Sequence, residues 1–326
     1  MNILLIILLF FTQCSPSKND KDKTSEKEVS TNQIVREKVL YKKSNSSEED
    51  EYLEGGYYLY DKQDRSSSLL FDRVLIDYSE AWRTINDDYV IFTLSSIILL
   101  NEQRELIERF NFKETELVLG ALYNKHLNKI YFLLKDTESN KVDLCQFSFD
   151  NQELKKVIEG TSIQSESIEE PFKKMFFVSD NQLLIQENCY DFWIVNLKDY
   201  SIDKTSLDKG SCNEISMVQN RKGIVYVKYM DSLKTNYELR EYNFTTQKNK
   251  LLLDGRNEYF KPVSLKLFSV SDESPFLVQI DNKLFLYDYS SFNEVKVDAK
   301  EILNYSEGYL IYINSLEEVK ATFTEG

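Results

Sequence analysis

Few side chains in this sequence could carry catalysis or bind a metal. His126 is the single histidine among 326 residues, which excludes any site built from several histidine ligands. It lies within residues 123–128, Tyr-Asn-Lys-His-Leu-Asn, where the polar residues predict a turn between two strands. A lone histidine in such a turn is far more often a surface or capping residue than a general base. We therefore assign it no catalytic role.

The carboxylates give no recognisable catalytic pattern either. Asp136, Glu138 and Asn140 place oxygen atoms at alternate positions, as a calcium loop does, but Lys141 stands where an EF-hand requires glycine. Among 54 aspartates and glutamates, no two are singled out as the pair that glycoside hydrolysis needs. Nucleophile elbows, phosphate loops, and the dinucleotide and zinc-protease motifs are missing from the sequence. We predict no catalytic residue, no metal and no cofactor.

The charge of the chain lies in its larger, C-terminal part. Lys and Arg number 40 against 54 Asp and Glu, giving a net charge of −14. Residues 15–50 carry equal numbers of both signs, so the whole net charge belongs to residues 51–326. An acidic body repels phosphate backbones, which argues against nucleic-acid binding and favours a basic protein partner.

The N-terminus predicts an export signal and a lipid anchor. Residues 3–11 form a run of nine apolar residues, too short to cross a bilayer but suited to a signal peptide. The tail Phe11-Thr12-Gln13-Cys14 resembles the relaxed lipobox of spirochaetal lipoproteins, although Gln13 and the lack of Lys or Arg before the run depart from the usual pattern. The resemblance implies that residues 1–13 are cleaved and that Cys14 is lipidated. An ordinary secretory signal with an incidental cysteine, or a truncated membrane anchor, is the alternative.

Residues 14–50 are expected to be a lipidated cysteine followed by a flexible tether. Residues 15–50 contain only six apolar side chains but sixteen charged ones. This is too little apolar area to offset the entropy of ordering the backbone. Val35–Tyr41 could dock as a stray strand. By analogy with lipoprotein sorting, Ser15 after the lipidated cysteine favours the outer membrane of the cell envelope. The sequence leaves open whether the protein faces the periplasm or the cell surface.

Residues 51–326 contain a repeat of about 45 residues. Each unit holds an apolar strand ending in Asp or Asn before a polar turn, at intervals of 40 to 49 residues. These turn residues are Asp61, Asn101, Asp150, Asn196, Asn243 and Asp288. With the apolar runs upstream and the weaker segments around them, every unit supplies four short antiparallel strands, here termed A to D. A β-sandwich pair or a large barrel would not explain so even a period.

This period predicts an all-β fold, a β-propeller of four-stranded antiparallel blades. Six C–D pairs begin at residues 55–74, and six A–B pairs end at residues 302–313. Joining the first C–D pair to the last A–B pair in one sheet would close a ring of six blades. Residues 317–326 are then left over, so a ring of seven blades is the alternative.

Two of the units resemble TolB-like and WD-like bacterial propellers. In those families an A strand ends in Ser-x-Asp-like turn residues before a buried B strand. Here Phe177-Val178-Ser179-Asp180-Asn181 precedes residues 183–185, and Ser269-Val270-Ser271-Asp272 precedes residues 275–278. The Asp-Gly usual in the family is missing. The resemblance therefore implies architecture but not activity.

The cysteines and the longest loops mark one face of the predicted ring. Cys189 falls in a B–C turn and Cys212 in a D–A connection, two loop types that emerge on the same face, so a disulfide between them is feasible but undecided. Cys145 lies on the same face of a predicted C strand as Phe147 and Phe149, so we expect it to be a small buried hydrophobic residue.

We expect binding residues on the loops of this face, since rigid scaffolds carry them there. The alternative is that these loops are simply solvated turns. The candidates are Asp136, Glu138, Glu166, Glu169, Glu170, Asp231 and Tyr259.

These features favour a lipid-anchored cell-envelope protein that acts as a non-catalytic binding or scaffold module. Its partners would be the membrane, through the N-terminal lipid, and a protein. One alternative is a propeller hydrolase or lyase acting on glycans in the central channel. Another is a surface antigen.

Overall fold

A computed structural model describes a large part of the chain. The described residues are 38–44, 54–75, 78–161, 163, 173–179, 181–187, 191–207, 217–220 (backbone), 223–244, 246–256, 262–268, 276–288, 290–306 and 309–324. The chain divides into residues 1–36 and residues 37–326, and all described residues belong to the second unit. Cys14 and most of the predicted tether therefore lie outside the described residues.

Within the described residues, the chain forms 26 strands in seven antiparallel sheets, numbered here in chain order. Sheet 1 contains β1 (Lys38–Ser44), β2 (Glu54–Asp61) and β3 (Ser66–Leu75). Sheet 2 contains β4 (Glu80–Arg83), β5 (Tyr89–Phe92), β6 (Ser96–Leu100) and β7 (Leu106–Asn111). Sheet 3 contains β8 (Glu116–Asn124), β9 (Lys129–Asp136), β10 (Val142–Ser148) and β11 (Glu153–Ile158).

The remaining four sheets continue the same pattern. Sheet 4 contains β12 (Met175–Ser179), β13 (Gln182–Gln186), β14 (Asp191–Asn196) and β15 (Ile202–Ser206). Sheet 5 contains β16 (Met217–Asn220), β17 (Gly223–Tyr229), β18 (Asn236–Asn243) and β19 (Lys248–Arg256). Sheet 6 contains β20 (Leu265–Phe268), β21 (Phe276–Ile280), β22 (Lys283–Tyr287) and β23 (Phe292–Val295). Sheet 7 contains β24 (Glu301–Ser306), β25 (Tyr309–Ile313) and β26 (Val319–Phe323).

In each sheet the strands are arranged in sequence order, with the first strand nearest the centre of the ring and the last strand at its outer edge. The first strands of neighbouring sheets contact one another, as β8 does β12 and β16 does β20. In sheet 2 the second strand, β5, is buried throughout, whereas the fourth strand, β7, is largely exposed. The apolar runs identified in the sequence are therefore second strands packed on both faces, and the weaker segments are outer strands with one face in water.

Among the residues that the structure describes, seven apolar clusters join the seven sheets into a closed ring. Each cluster draws its buried residues from two consecutive sheets and their flanking loops, for example Phe92 of β5 and Phe132 of β9, whose ring centroids lie 5.2 Å apart. The last cluster combines Val39 and Tyr41 of β1 with Ile311 of β25, so sheet 7 packs against sheet 1. The fold is a β-propeller with seven blades, so the prediction of a propeller is confirmed and the prediction of six blades is wrong.

The error arose at the two ends of the chain. The first predicted C–D pair, β2 and β3, and the last A–B pair, β24 and β25, do not share a sheet. Instead β1 adds a strand to the first pair, with Val39 paired to Tyr60, and β26 adds one to the second, with Val319 paired to Ile313. Two separate three-stranded sheets therefore replace the single latched sheet. Strand β1 also starts at Lys38, upstream of the expected domain boundary at residue 51.

Two close approaches position the inner strands. The side-chain amide of Asn304 on β24 donates a hydrogen bond to the carbonyl of Leu40 on β1, at 2.7 Å, across the junction of sheets 7 and 1. On β8, a Cβ added to Gly120 would lie 2.7 Å from the carbonyl oxygen of Lys173, which leads into β12. The amide of Lys173 in turn donates to the carbonyl of Leu119 at 2.7 Å.

The Asp and Asn residues of the repeat lie at the predicted strand ends. Asp288, between β22 and β23, accepts hydrogen bonds from the backbone amides of Ser290 and Ser291 at 2.9 and 2.8 Å. Asn196 accepts one from Lys198 at 3.0 Å. Asp150 instead accepts a bond from the side-chain amide of Asn128. A seventh such residue, Asn314 between β25 and β26, was not predicted from the repeat; its side-chain oxygen accepts a hydrogen bond from the amide of Glu318 at 2.8 Å.

Cys145 lies on β10 with its side chain fully buried between sheets 2 and 3, as expected. Burial raises the pKa of its thiol to about 12, so the thiolate is not formed near neutral pH. Within the described residues there is no helix long and apolar enough to span a bilayer.

Candidate binding groove

Only part of the predicted binding face falls within the described residues. Asp136, Glu138 and Asp231 are described, and all three lie in turns between the second and third strands of a sheet. The remaining candidates lie outside the described residues, so the binding loops and the Cys189–Cys212 disulfide stay predictions. These residues are Cys14, Glu166, Glu169, Glu170, Cys189, Cys212 and Tyr259.

The Asp136 carboxylate organises the turn between β9 and β10. Its Oδ1 accepts hydrogen bonds from the amides of Glu138 and Ser139 at 3.1 and 2.7 Å and from the Ser139 hydroxyl at 2.9 Å. The backbone and side-chain bonds from Ser139 hold the pKa of Asp136 below its usual range. Glu138 is exposed. Among the described residues, no group of three or more His, Cys, Asp or Glu is placed to hold a metal ion.

Asp231 plays the same part in the turn between β17 and β18. Its Oδ1 accepts from the amide of Thr235 at 3.0 Å, and its Oδ2 accepts from the amide of Asn236 at 2.7 Å and the Thr235 hydroxyl at 3.1 Å. The bond from the Thr235 amide is the main cause of a lowered pKa at Asp231. Both described aspartates are thus occupied in shaping their turns rather than presented to a ligand.

Backbone hydrogen bonds tie the β17–β18 turn to sheet 6. The carbonyl of Lys234 accepts from the amide of Val263 at 2.9 Å, and the Tyr229 hydroxyl donates to the carbonyl of Val263 at 3.3 Å. One residue on, the amide of Ser264 donates to Oδ1 of Asp281 at 3.0 Å, and its carbonyl accepts from the amide of Asp281 at 2.8 Å. The turn of sheet 5, the strand entry at 263–264 and the β21–β22 turn therefore form one connected unit.

An apolar groove of about 550 Å³ opens between sheets 5 and 6 beside this unit. Its walls come from β18, β19 and the β21–β22 hairpin, whose turn emerges on the same face of the ring as the Asp136 and Asp231 turns. Apolar and aromatic side chains dominate the lining. The lining residues are Tyr237, Leu253, Ile280, Asp281, Asn282, Lys283, Phe285 and Phe292. Grooves of this size and character are typical of ligand sites on proteins.

Tyr237 is the most distinctive residue of the groove. It pairs with Gly255 on β19, and a Cβ at Gly255 would overlap the Tyr237 ring and hydroxyl, so the glycine makes room for the phenol. Burial, followed by the negative charges of Asp281 and Asp254, raises the pKa of the Tyr237 hydroxyl. The hydroxyl therefore stays protonated at neutral pH.

The β17–β18 turn next to the groove adds exposed apolar surface. Met230 is 52% exposed and Leu233 is 65% exposed. Both belong to the same turn that the Asp231 carboxylate and the Val263 amide hold in place. Large apolar side chains held in water beside an apolar groove are typical of an interaction surface.

A second, more polar groove of about 460 Å³ lies on the other side of the β21–β22 hairpin, between sheets 6 and 7. Asn282 and Lys283 line both grooves, so the hairpin tip separates them. Charged side chains of both signs, Glu294, Lys296 and Asp298, contribute to this second lining.

The first strands bring a mixed group of charges together. Lys42 on β1 and Glu80 on β4 form an ion pair at 4.0 Å, with both side chains partly exposed. Lys174, just before β12, is affected by both groups: desolvation lowers its pKa first, Glu80 opposes this and Lys42 adds to it. Two ammonium groups and one carboxylate are not the pair of carboxylates that glycoside hydrolysis uses. His126 lies exposed in the β8–β9 turn, where the sequence predicted a turn.

No family model and no curated protein matches the sequence. Solved structures do resemble the fold. An oligogalacturonate lyase in complex with manganese matches with a TM-score of 0.58 and 10% identity, covering 82% of this chain and 81% of that one. The oligogalacturonate lyase of Vibrio parahaemolyticus matches with a TM-score of 0.56 and 12% identity, covering 87% and 85%. The Myceliophteria thermophila Cps50 (Swd1) β-propeller domain matches with a TM-score of 0.52 and 9% identity, covering 87% and 96%.

These likenesses establish the fold alone. At such low identity they support the resemblance to WD-like and TolB-like propellers that the sequence indicated. They do not test the resemblance of residues 11–14 to a lipobox. The groove residues belong to β18, β19, β21, the β21–β22 turn, β22 and β23, and no motif in the sequence marks them as a group.

Proposed function

We propose that this propeller is a non-catalytic binding module that engages a protein partner through the groove between sheets 5 and 6. The observation that carries the proposal is the apolar groove of about 550 Å³ on the face of the ring that bears the second-to-third-strand turns. Aromatic side chains in a partly desolvated groove are the residues that most often dominate binding energy.

The rigid surroundings of the groove support this function. The β17–β18 turn, residues 263–264 and the β21–β22 turn are joined by backbone hydrogen bonds, so the groove walls are held before a partner arrives. A preformed site avoids the entropy cost of ordering loops upon binding. The carboxylates that sequence reasoning singled out, Asp136 and Asp231, contribute indirectly because they hold turns in shape.

Site-specific photo-cross-linking tests the proposal. A benzophenone amino acid would replace Leu253, on the groove wall, in cells of the source organism. The matched control replaces Leu154, which lies on the equivalent outer strand of sheet 3 and is 39% exposed. We expect protein adducts from position 253 that are several times more abundant than those from position 154. Equal adducts at both positions, or none at position 253, would contradict the proposal.

We propose further that the module is held at the cell envelope, in the outer membrane, by lipid on Cys14. The apolar run at residues 3–11 followed by Phe-Thr-Gln-Cys supports this anchor. Labelled palmitate should be incorporated into the wild-type chain and lost in Cys14→Ser. Incorporation that survives this substitution would remove the anchor from the proposal without affecting the groove.

A second candidate function is that of a lyase or hydrolase acting on glycans at the centre of the ring. Two of the structural neighbours are oligogalacturonate lyases, which favours this second function. One of them is described in complex with manganese. Incubating the chain with oligogalacturonides, with and without manganese, and following the ultraviolet absorbance of unsaturated products would test it. Activity that depends on Glu80, on the first strand of sheet 2, would establish this function in place of the first.

A further inference from the structure

We infer that the groove between sheets 5 and 6 receives the β17–β18 turn, residues 230–235, of a second copy of this chain. The inference rests on the proposed function, because it names the partner that occupies the same groove. The two copies are related by a twofold axis, so each one inserts its turn into the groove of the other.

The turn and the groove lie side by side on one face of the ring. Tyr237 lines the groove and pairs across β17 and β18 with Tyr229, the residue directly before the turn. Met230 and Leu233 in the turn are both more than half exposed, so the turn does not fill the groove of its own chain. A twofold axis that passes between an apolar protrusion and an adjacent apolar groove places each protrusion opposite the groove of the other copy.

Both parts of this surface are apolar and incompletely buried in the single chain. The lining of the groove includes four apolar side chains that are only partly buried: Leu253, Ile280, Phe285 and Phe292. A Leu233 side chain that enters the groove removes its own apolar surface and that of the lining from water together. The contact forms twice in a twofold pair, so both the protrusion and the groove of each copy are covered.

The turn is held in shape before the two copies meet. The Asp231 carboxylate accepts hydrogen bonds from the amides of Thr235 and Asn236. The carbonyl of Lys234 accepts one from the amide of Val263, at the entry to the next sheet. A fixed backbone therefore carries the exposed apolar side chains, and little loop entropy is lost when the turn enters a groove.

The charges at the contact suit a second copy. In the described lining the charged groups are Asp281 and Lys283, which balance each other. Within the turn Asp231 and Lys234 balance in the same way. Two chains of net charge −14 repel each other, so self-association is favoured where the touching surfaces are neutral, as they are here. Salt screens the repulsion between the rest of the two chains, over about 10 Å at 0.1 M.

Sedimentation velocity of the purified chain tests the inference. The turn and the lining together supply fewer residues than the roughly 20–30 per partner of a standard interface, so we expect a weak dimer with a dissociation constant of about 10–100 µM. Added salt should tighten it several-fold, because the two copies carry like charge. Leu233→Asp should weaken it about tenfold or more by placing a charge in the apolar contact. The matched control is Leu316→Asp, in the β25–β26 turn, which should change the affinity less than about twofold although Leu316 is 75% exposed.

A mixture of two variants gives a sharper test. Leu253→Arg in the groove should weaken the dimer as Leu233→Asp does. In a mixed pair one contact is that of the wild type, and the other brings the introduced carboxylate against the introduced guanidinium. The mixture should therefore associate at least about fivefold more tightly than either variant alone. Leu253→Glu in place of Leu253→Arg should remove most of this gain, and melting curves check that both groove variants remain folded.

The benzophenone at position 253 separates failure of this inference from failure of the proposed function. Adducts of two copies, joined between position 253 and a peptide containing residues 230–235, would support the second copy. A chain that stays monomeric at millimolar concentration, a dimer that Leu233→Asp leaves intact, or adducts with other proteins alone would overturn the inference and leave the groove as a binding site. Absence of every adduct from position 253 would overturn the proposed function itself.

Discussion

The ring of Tyr237 lies over Gly255, its partner across β18 and β19, in space that any larger residue at position 255 would occupy. The phenol is thereby held at the wall of the apolar groove. The atoms that a Cβ would meet are the outer part of the ring, including its hydroxyl, and these can move by rotation of the side chain.

Gly255→Ala should therefore displace Tyr237 rather than unfold the protein. We expect a loss of stability of no more than about 1 kcal/mol, because a side chain and not the backbone gives way. Binding of the partner in the groove should weaken about tenfold or more, since the aromatic wall is rearranged. Chemical denaturation and the yield of cross-linked adducts from position 253 measure the two effects. A variant that unfolds easily, or one that binds normally, would contradict this account of Gly255.

Gly120→Ala should instead destabilise the fold, because backbone rather than a side chain has to move. At this position a Cβ would lie 2.7 Å from the carbonyl oxygen of Lys173, so backbone must move. We expect a cost of about 1–3 kcal/mol in the free energy of unfolding, as for other overpacked sites. Gly160→Ala is the control: its φ is +59° and nothing lies near, so only about 1 kcal/mol of backbone strain is expected. Urea denaturation compares the two, and a neutral Gly120→Ala would refute the close approach of sheets 3 and 4.

The junction of sheets 7 and 1 can be tested at Asn304. Its side-chain amide donates to the carbonyl of Leu40, 264 residues away in sequence. Asn304→Ala should cost about 1 kcal/mol and raise hydrogen exchange selectively in β1 and β24. Asn151→Ala, which removes only a local contact to Glu153, should change exchange in neither strand. An increase spread evenly over all seven sheets would argue against a localised role.

The turn held by Asp231 makes stability depend on pH. Its pKa is lowered in the folded state, so its contribution is present above the pKa of the unfolded chain and is lost as pH falls through the folded pKa. Asp231→Asn should lower Tm by about 2 °C at neutral pH. The gap should begin to narrow at about pH 4, where the unfolded chain takes up its proton, and close at still lower pH, as the folded wild-type carboxyl is protonated. Melting curves across pH measure this, with exposed Asp203→Asn as control; a gap independent of pH would exclude the carboxylate as its source.

Cys145 should be chemically silent in the folded protein. Its side chain is fully buried, and desolvation raises the pKa of the thiol to about 12. In a chain carrying Cys14→Ser, Cys189→Ser and Cys212→Ser, we expect iodoacetamide to label Cys145 at pH 8 at least about 10³-fold more slowly than in the unfolded chain. Mass spectrometry follows the labelling. Rapid modification without unfolding would show that the junction of sheets 2 and 3 opens readily.

The sequence predicted the repeated unit better than the number of repeats. Asp288 and Asn196 correctly predicted the ends of strands. Their side chains accept hydrogen bonds from backbone amides two or three residues further along, and this local interaction can be recognised from the residue type alone. Strand β1 was harder to recognise because Lys38, Lys42 and Lys43 surround its apolar residues. Strand β26 mixes Lys320, Ala321 and Thr322, and the short interval between Asp288 and Asn314 breaks the period of about 45.

The groove could not be predicted from the sequence. Tyr237 and Leu253 are unremarkable residues of separate strands, and Phe285 and Phe292 belong to the neighbouring sheet. Only the strand registers and the packing of one sheet on the next bring them to one place. The carboxylates of the loops were visible in the sequence, but whether they serve a ligand or a turn depends on hydrogen bonds that spacing does not reveal.

The contact between Leu40 and Asn304 also constrains how the molecule is made. A ribosome completes sheet 1 first and sheet 7 last, so the face of sheet 1 that carries Val39 and Tyr41 stays uncovered until Ile311 emerges. During synthesis the growing chain exposes an apolar surface on its earliest finished sheet for as long as translation lasts. Exposed apolar surface of this kind makes incomplete chains prone to aggregate, so the uncovered face of sheet 1 is a liability until sheet 7 has formed.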